Sequence, residues 1–304
     1  MEKKTLWQGT VKKVINPLNL VKVVQLEKNR KVTARSANDA QLKLYSKILK
    51  GDFLHYGYFD DRDISAEDIS FSMIYKAQER YAEKILDLIP NGESKKHVLD
   101  VGCGMGGLLG MLNARGHKAI GLTPDINQVQ YIREHYPNPT LHCRFEEIPT
   151  AEYQGAFDVI ITSESLQYLN LDQSLPLIKT LLRPGGCWIA CDYFRTHPES
   201  FEKSGHIWED FETRLKQLNF NLESTEDITP HILPTIAFAH LWGTRVGVPV
   251  LDFLIEKLKV KNPGWYYLAE DVIPQLLEKV ESNLKVVDPL QFSATKKYML
   301  MKIT

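Results

Sequence analysis

Asp100 stands just ahead of three glycines at alternate positions, Gly102, Gly104 and Gly106. Such a run lets the backbone turn tightly and lie against a bound molecule where a Cβ would clash. A helix beginning just beyond the turn aims its free N–H groups at the same molecule. The carboxylate sets the sign of the ligand: it repels a pyrophosphate and suits a molecule carrying positive charge. Two further stretches can do chemistry. Ser163-Glu164-Ser165-Leu166-Gln167-Tyr168 offers an acid, an amide and a phenol. His55-Tyr56-Gly57-Tyr58 offers an imidazole and two phenols. Such groups can take a proton from a nucleophile or line the wall around it. The four cysteines, Cys103, Cys143, Cys187 and Cys191, form no Cys-x-x-Cys pair. They read as reduced, buried small residues, and no metal site is expected.

The elements that must position these groups alternate. Strand candidates are His97–Val101, Lys118–Leu122, Thr140–Cys143, Phe157–Thr162 and Cys187–Asp192, with helix candidates Met105–Arg115, Asp125–Tyr136 and Leu171–Leu182 between them. This order predicts a parallel sheet with helices on both faces. Arg183-Pro184-Gly185-Gly186 reads as the turn into the fifth strand. Earlier, Ser65 to Leu88 reads as a helix capped by Ser65, with Asp68 closing a capping box. Later come a helix at His206–Leu218, a strand at Asn221–Ile228, and short Pro-broken helices over 229–290. Lys296–Ile303 is the final strand. In open α/β sheets ligands bind at the carboxyl edge, and each of the polar stretches after a strand falls there.

The string Val98-Leu99-Asp100-Val101-Gly102-Cys103-Gly104-Met105-Gly106-Gly107 closely resembles motif I of the class I S-adenosylmethionine-dependent methyltransferases. The resemblance covers residues 50–228 and the final strand. It implies an α/β fold: a Rossmann-like seven-stranded sheet with helices on both faces, an N-terminal helical lid and a helical cap inserted before the last strand. The expected parts are a basic arm and lid helix at 1–50, a cofactor-binding core at 51–228, the cap at 229–290 and the last core strand at 291–304. S-adenosyl-L-methionine is the implied cofactor, with the turn of Asp100, Gly102, Gly104 and Gly106 wrapping its methionine part. After the second strand, where an acid usually meets the ribose, this chain has Thr123. Gly-Leu-Thr-x-x-x-x-Gln is similar to the cyclopropane-forming and mycolic-acid branch, in which Thr and Gln hold the ribose, so Thr123 and Gln128 take that role. Asp125 reads as a helix N-cap. Phe145 and Glu146 match the adenine contacts, and Ser163 a contact to the methionine part.

On the acceptor side, the resemblance implies Glu164, His55 and Tyr168 as catalytic candidates. Tyr56, Tyr58 and Gln167 are the acceptor-binding candidates. The segment His55–Asp60 is similar to the lid of sterol and tocopherol methyltransferases. Ring formation is not expected, because Tyr56 replaces the lid Cys of the cyclopropane branch and Gln167-Tyr168 replaces its Glu-His. The apolar content of the cap points to a roomy pocket for a lipophilic acceptor of isoprenoid, fatty acyl or polyketide-like type, methylated at carbon or oxygen.

The chain has 304 residues, 43% hydrophobic and 25% charged, with a net charge of −1. Nothing in that balance calls for nucleic acid, and no Asn/Asp-Pro-Pro-Tyr/Phe motif for a flipped base is present. Residues 1–50 carry 12 Lys/Arg against 3 Asp/Glu. That arm reads either as a segment packed on the core or as a contact to an anionic membrane surface. The expected location is cytoplasmic, peripheral to a membrane in the second case. Two other functions fit the fold: a cofactor-bound regulatory protein without catalysis, and an NAD-dependent oxidoreductase, against which Asp100 and Thr123 both count.

Overall fold

The computed structural model describes residues 51–90, 95–199 and 203–304. The readings placed on residues 1–50, including the basic arm and its membrane contact, lie outside the described residues. Seven strands form one sheet in the order β3-β2-β1-β4-β5-β7-β6. They are β1 (His97–Val101), β2 (Lys118–Leu122), β3 (Thr140–Leu141), β4 (Phe157–Ser163), β5 (Leu182–Arg195), β6 (Leu222–Asp227) and β7 (Lys296–Ile303). β1 to β5 are parallel, whereas β7 runs antiparallel between β5 and β6. The parallel arrangement expected over the first five strands is found, and β7 makes the seven-stranded sheet a mixed one. The reversal puts the beginning of β7 beside the carboxyl end of β5, with Tyr193 opposite Tyr298.

Successive strand residues point to opposite faces, and both faces here are covered. Val98, Val159, Ile161 and Ile189 pack with α1 (Phe71–Leu86), α2 (Gly107–Ala114), α7 (Thr229–Trp242) and α11 (Pro289–Thr295). Leu99, Val101, Ile160 and Trp188 pack with α5 (Leu171–Leu181) and α6 (Trp208–Gln217). That double burial explains why the central strands read as continuous apolar runs. α3 (Ile126–His135) and the single turn α4 (Thr150–Tyr153) complete the core; α8 (Val248–Lys261), α9 (Pro263–Ala269) and α10 (Ile273–Val286) follow α7.

Two boundaries differ from expectation. α1 begins at Phe71 and its cap is Ser70, whose extended backbone lets its hydroxyl accept from the Met73 N–H. Ser65 instead accepts, through its carbonyl, the Asp68 N–H of a separate turn. Arg183–Gly186 is not a turn before β5 but its irregular first part. Gly185 lies at φ +78°, and the register with β4 shifts between Phe157 and Val159. The cap also differs. α7 buries Ile232, Ile236 and Phe238, but α8, α9 and α10 bury no side chain completely. Val250, Phe253, Leu254, Leu268 and Val272 of this part are half or more exposed.

Candidate active site

The glycine turn has the conformation its spacing demands. Gly102, Gly104 and Gly106 lie at φ +78°, +55° and +93°, a region costly for any residue with a Cβ. A Cβ on Gly102 would stand 2.4 Å from Ser165 Cβ, and one on Gly106 2.9 Å from the Tyr136 ring. At Gly104 a Cβ would meet only the Leu54 side chain, at an ordinary contact distance of 3.6 Å, so its positive φ rather than crowding is what calls for glycine there. Asp100, beneath the turn, is 2% exposed, and its Oδ2 has no hydrogen-bond partner among the described residues. Burial raises its pKa to about 7. An unpaired buried carboxylate is costly. A cationic ligand with N–H donors supplies what it lacks, so the residues present fit S-adenosylmethionine.

At the end of β2, Thr123 donates its hydroxyl to Gln128 Oε1 at 2.5 Å, so the two residues expected at the ribose stand together. Asp125 caps α3 through Asn127 N–H at 2.8 Å. Phe145 is buried in the core, at 2% exposure. Glu146 Oε1 accepts from Asn170 N–H and the Ser174 hydroxyl, holding the start of α5. These protein contacts occupy both side chains that the sequence assigns to adenine.

Glu164, just past β4, is one of two non-glycine residues at positive φ among the described residues, at 50°. Such strain persists only where the surroundings over-determine it. Its N–H donates to Cys191 C=O, and its Oε1 accepts from Tyr298 O–H at 2.5 Å and Tyr56 N–H at 2.9 Å. Burial raises its pKa to about 7, and those two hydrogen bonds pull in the opposite direction. Asp192, at the neighbouring end of β5, accepts from Gln167 N–H and Tyr193 N–H. Burial first, then the charge of Glu164, raise its pKa to about 8. Tyr298 O–H also lies 3.0 Å from Tyr81 O–H, and Ser163 Oγ donates to the same Tyr81 oxygen at 3.3 Å. Sequence reasoning missed Asp192, Tyr298 and Tyr81. A polar residue inside each apolar strand or helix face was the available signal.

The segment from Asp52 to Asp60 lies over this edge. His55 stacks on Tyr81 with ring centroids 4.1 Å apart, and its Nδ1 is bonded to Tyr56 C=O. Burial lowers its pKa to about 4, so near neutral pH the ring is uncharged and a weak base. Tyr58 is buried and stacks on His231 of α7. That stacking ties the segment to α7. Gln167 accepts the Tyr193 hydroxyl. Tyr168, at the end of a short turn (Leu166–Tyr168), is 79% exposed, yet partial burial and then the charges of Asp192 and Glu164 raise its pKa, which sets it at the outer rim of the two carboxylates. The structure thus brings Glu164, His55 and Tyr56 together, sets Tyr168 at the exposed rim near Glu164 and Asp192, and stacks Tyr58 on His231 instead.

Comparison with known proteins agrees with this geometry. A family model described as a methyltransferase domain matches residues 99–190. A sterol 4-C-methyltransferase of Caenorhabditis elegans is 32% identical over 117 residues, 36% of this chain and 35% of that protein's length. The human mitochondrial ubiquinone biosynthesis O-methyltransferase is 26% identical over 93% of this chain and 82% of its own. Among solved structures, geranyl diphosphate C-methyltransferase from Streptomyces coelicolor superposes with a TM-score of 0.61 at 16% identity, covering 83% of this chain and 89% of the other. With the glycine turn, the unpaired Asp100 and the seven-stranded sheet, these matches identify a methyltransferase domain at residues 99–190 within the fold of the class I S-adenosylmethionine-dependent methyltransferases.

Proposed function

We propose that the chain methylates a small lipophilic acceptor, of isoprenoid, fatty acyl or polyketide-like class, at carbon or oxygen. The observation that carries this reading is Glu164, a buried carboxylate held at the carboxyl edge of the cofactor-binding sheet, with a pKa of about 7. In support, the relatives are named for sterol and ubiquinone chemistry.

When bound, S-adenosylmethionine supplies an electrophilic methyl group on a sulfonium that leaves as a neutral thioether. Asp100 and the backbone of Gly102, Gly104 and Gly106 hold its cationic end. Thr123 and Gln128 hold the ribose hydroxyls, and the turn of Phe145 and Glu146 borders the adenine. Glu164 takes the proton that an acceptor hydroxyl or carbon must lose. A base is most effective when its pKa lies near the working pH, which favours Glu164 over His55. Tyr298 and the Tyr56 N–H fix the carboxylate, while His55 and Tyr56 screen it from water.

Calorimetric titration with S-adenosylmethionine and S-adenosylhomocysteine tests the cofactor half. Micromolar binding is expected, lost in Gly104→Val. Incubation of lipid extracts with labelled methyl donor tests the acceptor half, and label is expected in the organic phase. Binding without transfer to any extract points instead to a regulatory protein of the same fold. For residues 1–50 we propose contact with an anionic membrane surface. Loss of vesicle flotation on removal of residues 1–35 is the expected result.

A further inference from the structure

α8 turns an apolar stripe to solvent. Val250, Phe253 and Leu254 are 50%, 62% and 53% exposed. With Lys257 and Lys261 they recur at three- and four-residue spacing, which places all five on one face of the helix. The carboxylates of this helix, Asp252 and Glu256, fall on a different face. Scattered surface hydrophobics are ordinary, but a contiguous series of this kind marks an interaction surface.

The charges say what covers it. On the stripe of α8 the only ionised groups are lysines, and they complement an anionic surface. Lys257 Nζ sits 5.6 Å from the centre of the Phe253 ring, so its stem runs along the apolar stripe with the ammonium at the rim. That is how a lysine sits at a headgroup layer over buried acyl chains. A second copy laid against the same stripe brings no carboxylate from that stripe to these lysines.

We propose that the exposed stripe of α8 is a peripheral membrane-docking surface that inserts Val250, Phe253 and Leu254 into the acyl boundary of an anionic leaflet. It is separate from the glycine turn and Glu164, and it does not depend on the identity of the acceptor. Flotation of the full-length chain on phosphatidylcholine vesicles, with and without phosphatidylglycerol, tests it. The wild type is expected to float with the anionic vesicles. Val250→Glu/Phe253→Glu/Leu254→Glu should lower the bound fraction at least tenfold while S-adenosylmethionine binding stays unchanged. Lys257→Glu/Lys261→Glu, confined to exposed positions, should remove the preference for anionic lipid without touching the fold. Absence of flotation, or equal flotation of wild type and both variants, overturns the proposal. So does a wild-type dimer in light scattering that the triple variant converts to a monomer without any vesicle binding, which assigns the stripe to a second copy.

Discussion

Tyr298, on the antiparallel strand β7, donates its hydroxyl at 2.5 Å to Glu164, at the end of the parallel strand β4. β5 separates the two strands in the sheet, so the contact spans the edge where the acceptor is proposed to bind. The bond favours the ionised form of Glu164. Tyr298→Phe should therefore raise the pKa of Glu164 above its value of about 7. A hydrogen bond to a charged group contributes about 1.5–3 kcal/mol, which corresponds to about one to two pH units. The acidic limb of kcat/KM should move upwards by that amount, with cofactor affinity unchanged. An unmoved limb in Tyr298→Phe removes Glu164 from the role of base.

Asp100, Glu164 and Asp192 have folded-state pKa values raised to about 7, 7 and 8. The stability such a carboxyl contributes is fully present below its unfolded pKa and is lost as pH rises through its folded pKa. His55 acts in the other direction, because its depressed value of about 4 costs stability only as pH falls below the unfolded histidine value of about 6.5. Between about pH 6.5 and 8.5, then, the carboxyls alone set the sign. The melting temperature of the cofactor-free chain should fall across that window. Asp192→Asn should flatten the fall. A melting temperature that rises from pH 6.5 to 8.5 contradicts this account.

Proton release from Asp100 couples to cofactor binding. A cation placed beside it favours the carboxylate, so its pKa drops on binding and a proton is released near pH 7. Affinity for S-adenosylmethionine should rise between pH 6 and 8. Titrations in buffers of different ionisation enthalpy should show the released proton. Asp100→Asn should abolish the release and weaken binding by about 10- to 100-fold, the equivalent of one charge-assisted contact.

The cofactor half of this site was legible because its geometry is local. Gly102, Gly104 and Gly106 announce a backbone conformation, and Asp100, Thr123 and Gln128 lie within a few residues of a strand end. Asp125 as a cap was equally readable from its place before Ile126. The acceptor half was not, because it is made by register. Tyr298 meets Glu164 only because β7 reverses direction and pairs Tyr193 with Tyr298, and no spacing in the chain encodes that. Asp192 looked like the last residue of a buried strand. Tyr58 shows the converse: residue type suited it to an acceptor site, but its ring is buried against His231. The cap misled for a related reason, since apolar content does not reveal whether a helix faces the core or the solvent.

The lid gives the last test. Thr235 of α7 accepts the Gly57 N–H and donates to the Gly57 carbonyl, both at 3.1 Å. A Cβ on Gly57 would stand 2.6 Å from Ala77 Cβ, so the segment lies against α1 with no space to spare. Thr235→Val keeps the side-chain volume but leaves both backbone groups of Gly57 without their partner, at a cost of about 1–3 kcal/mol for each buried group. That cost falls on the closed lid, whose Tyr56 N–H holds Glu164. Thr235→Val should therefore raise the acceptor KM severalfold and lower kcat, because the carboxylate loses one of its two donors. The same substitution should scarcely alter S-adenosylhomocysteine binding, since Asp100 and the glycine turn lie on other elements. If cofactor affinity and acceptor KM change by the same factor, the lid belongs to the cofactor site and not to the acceptor.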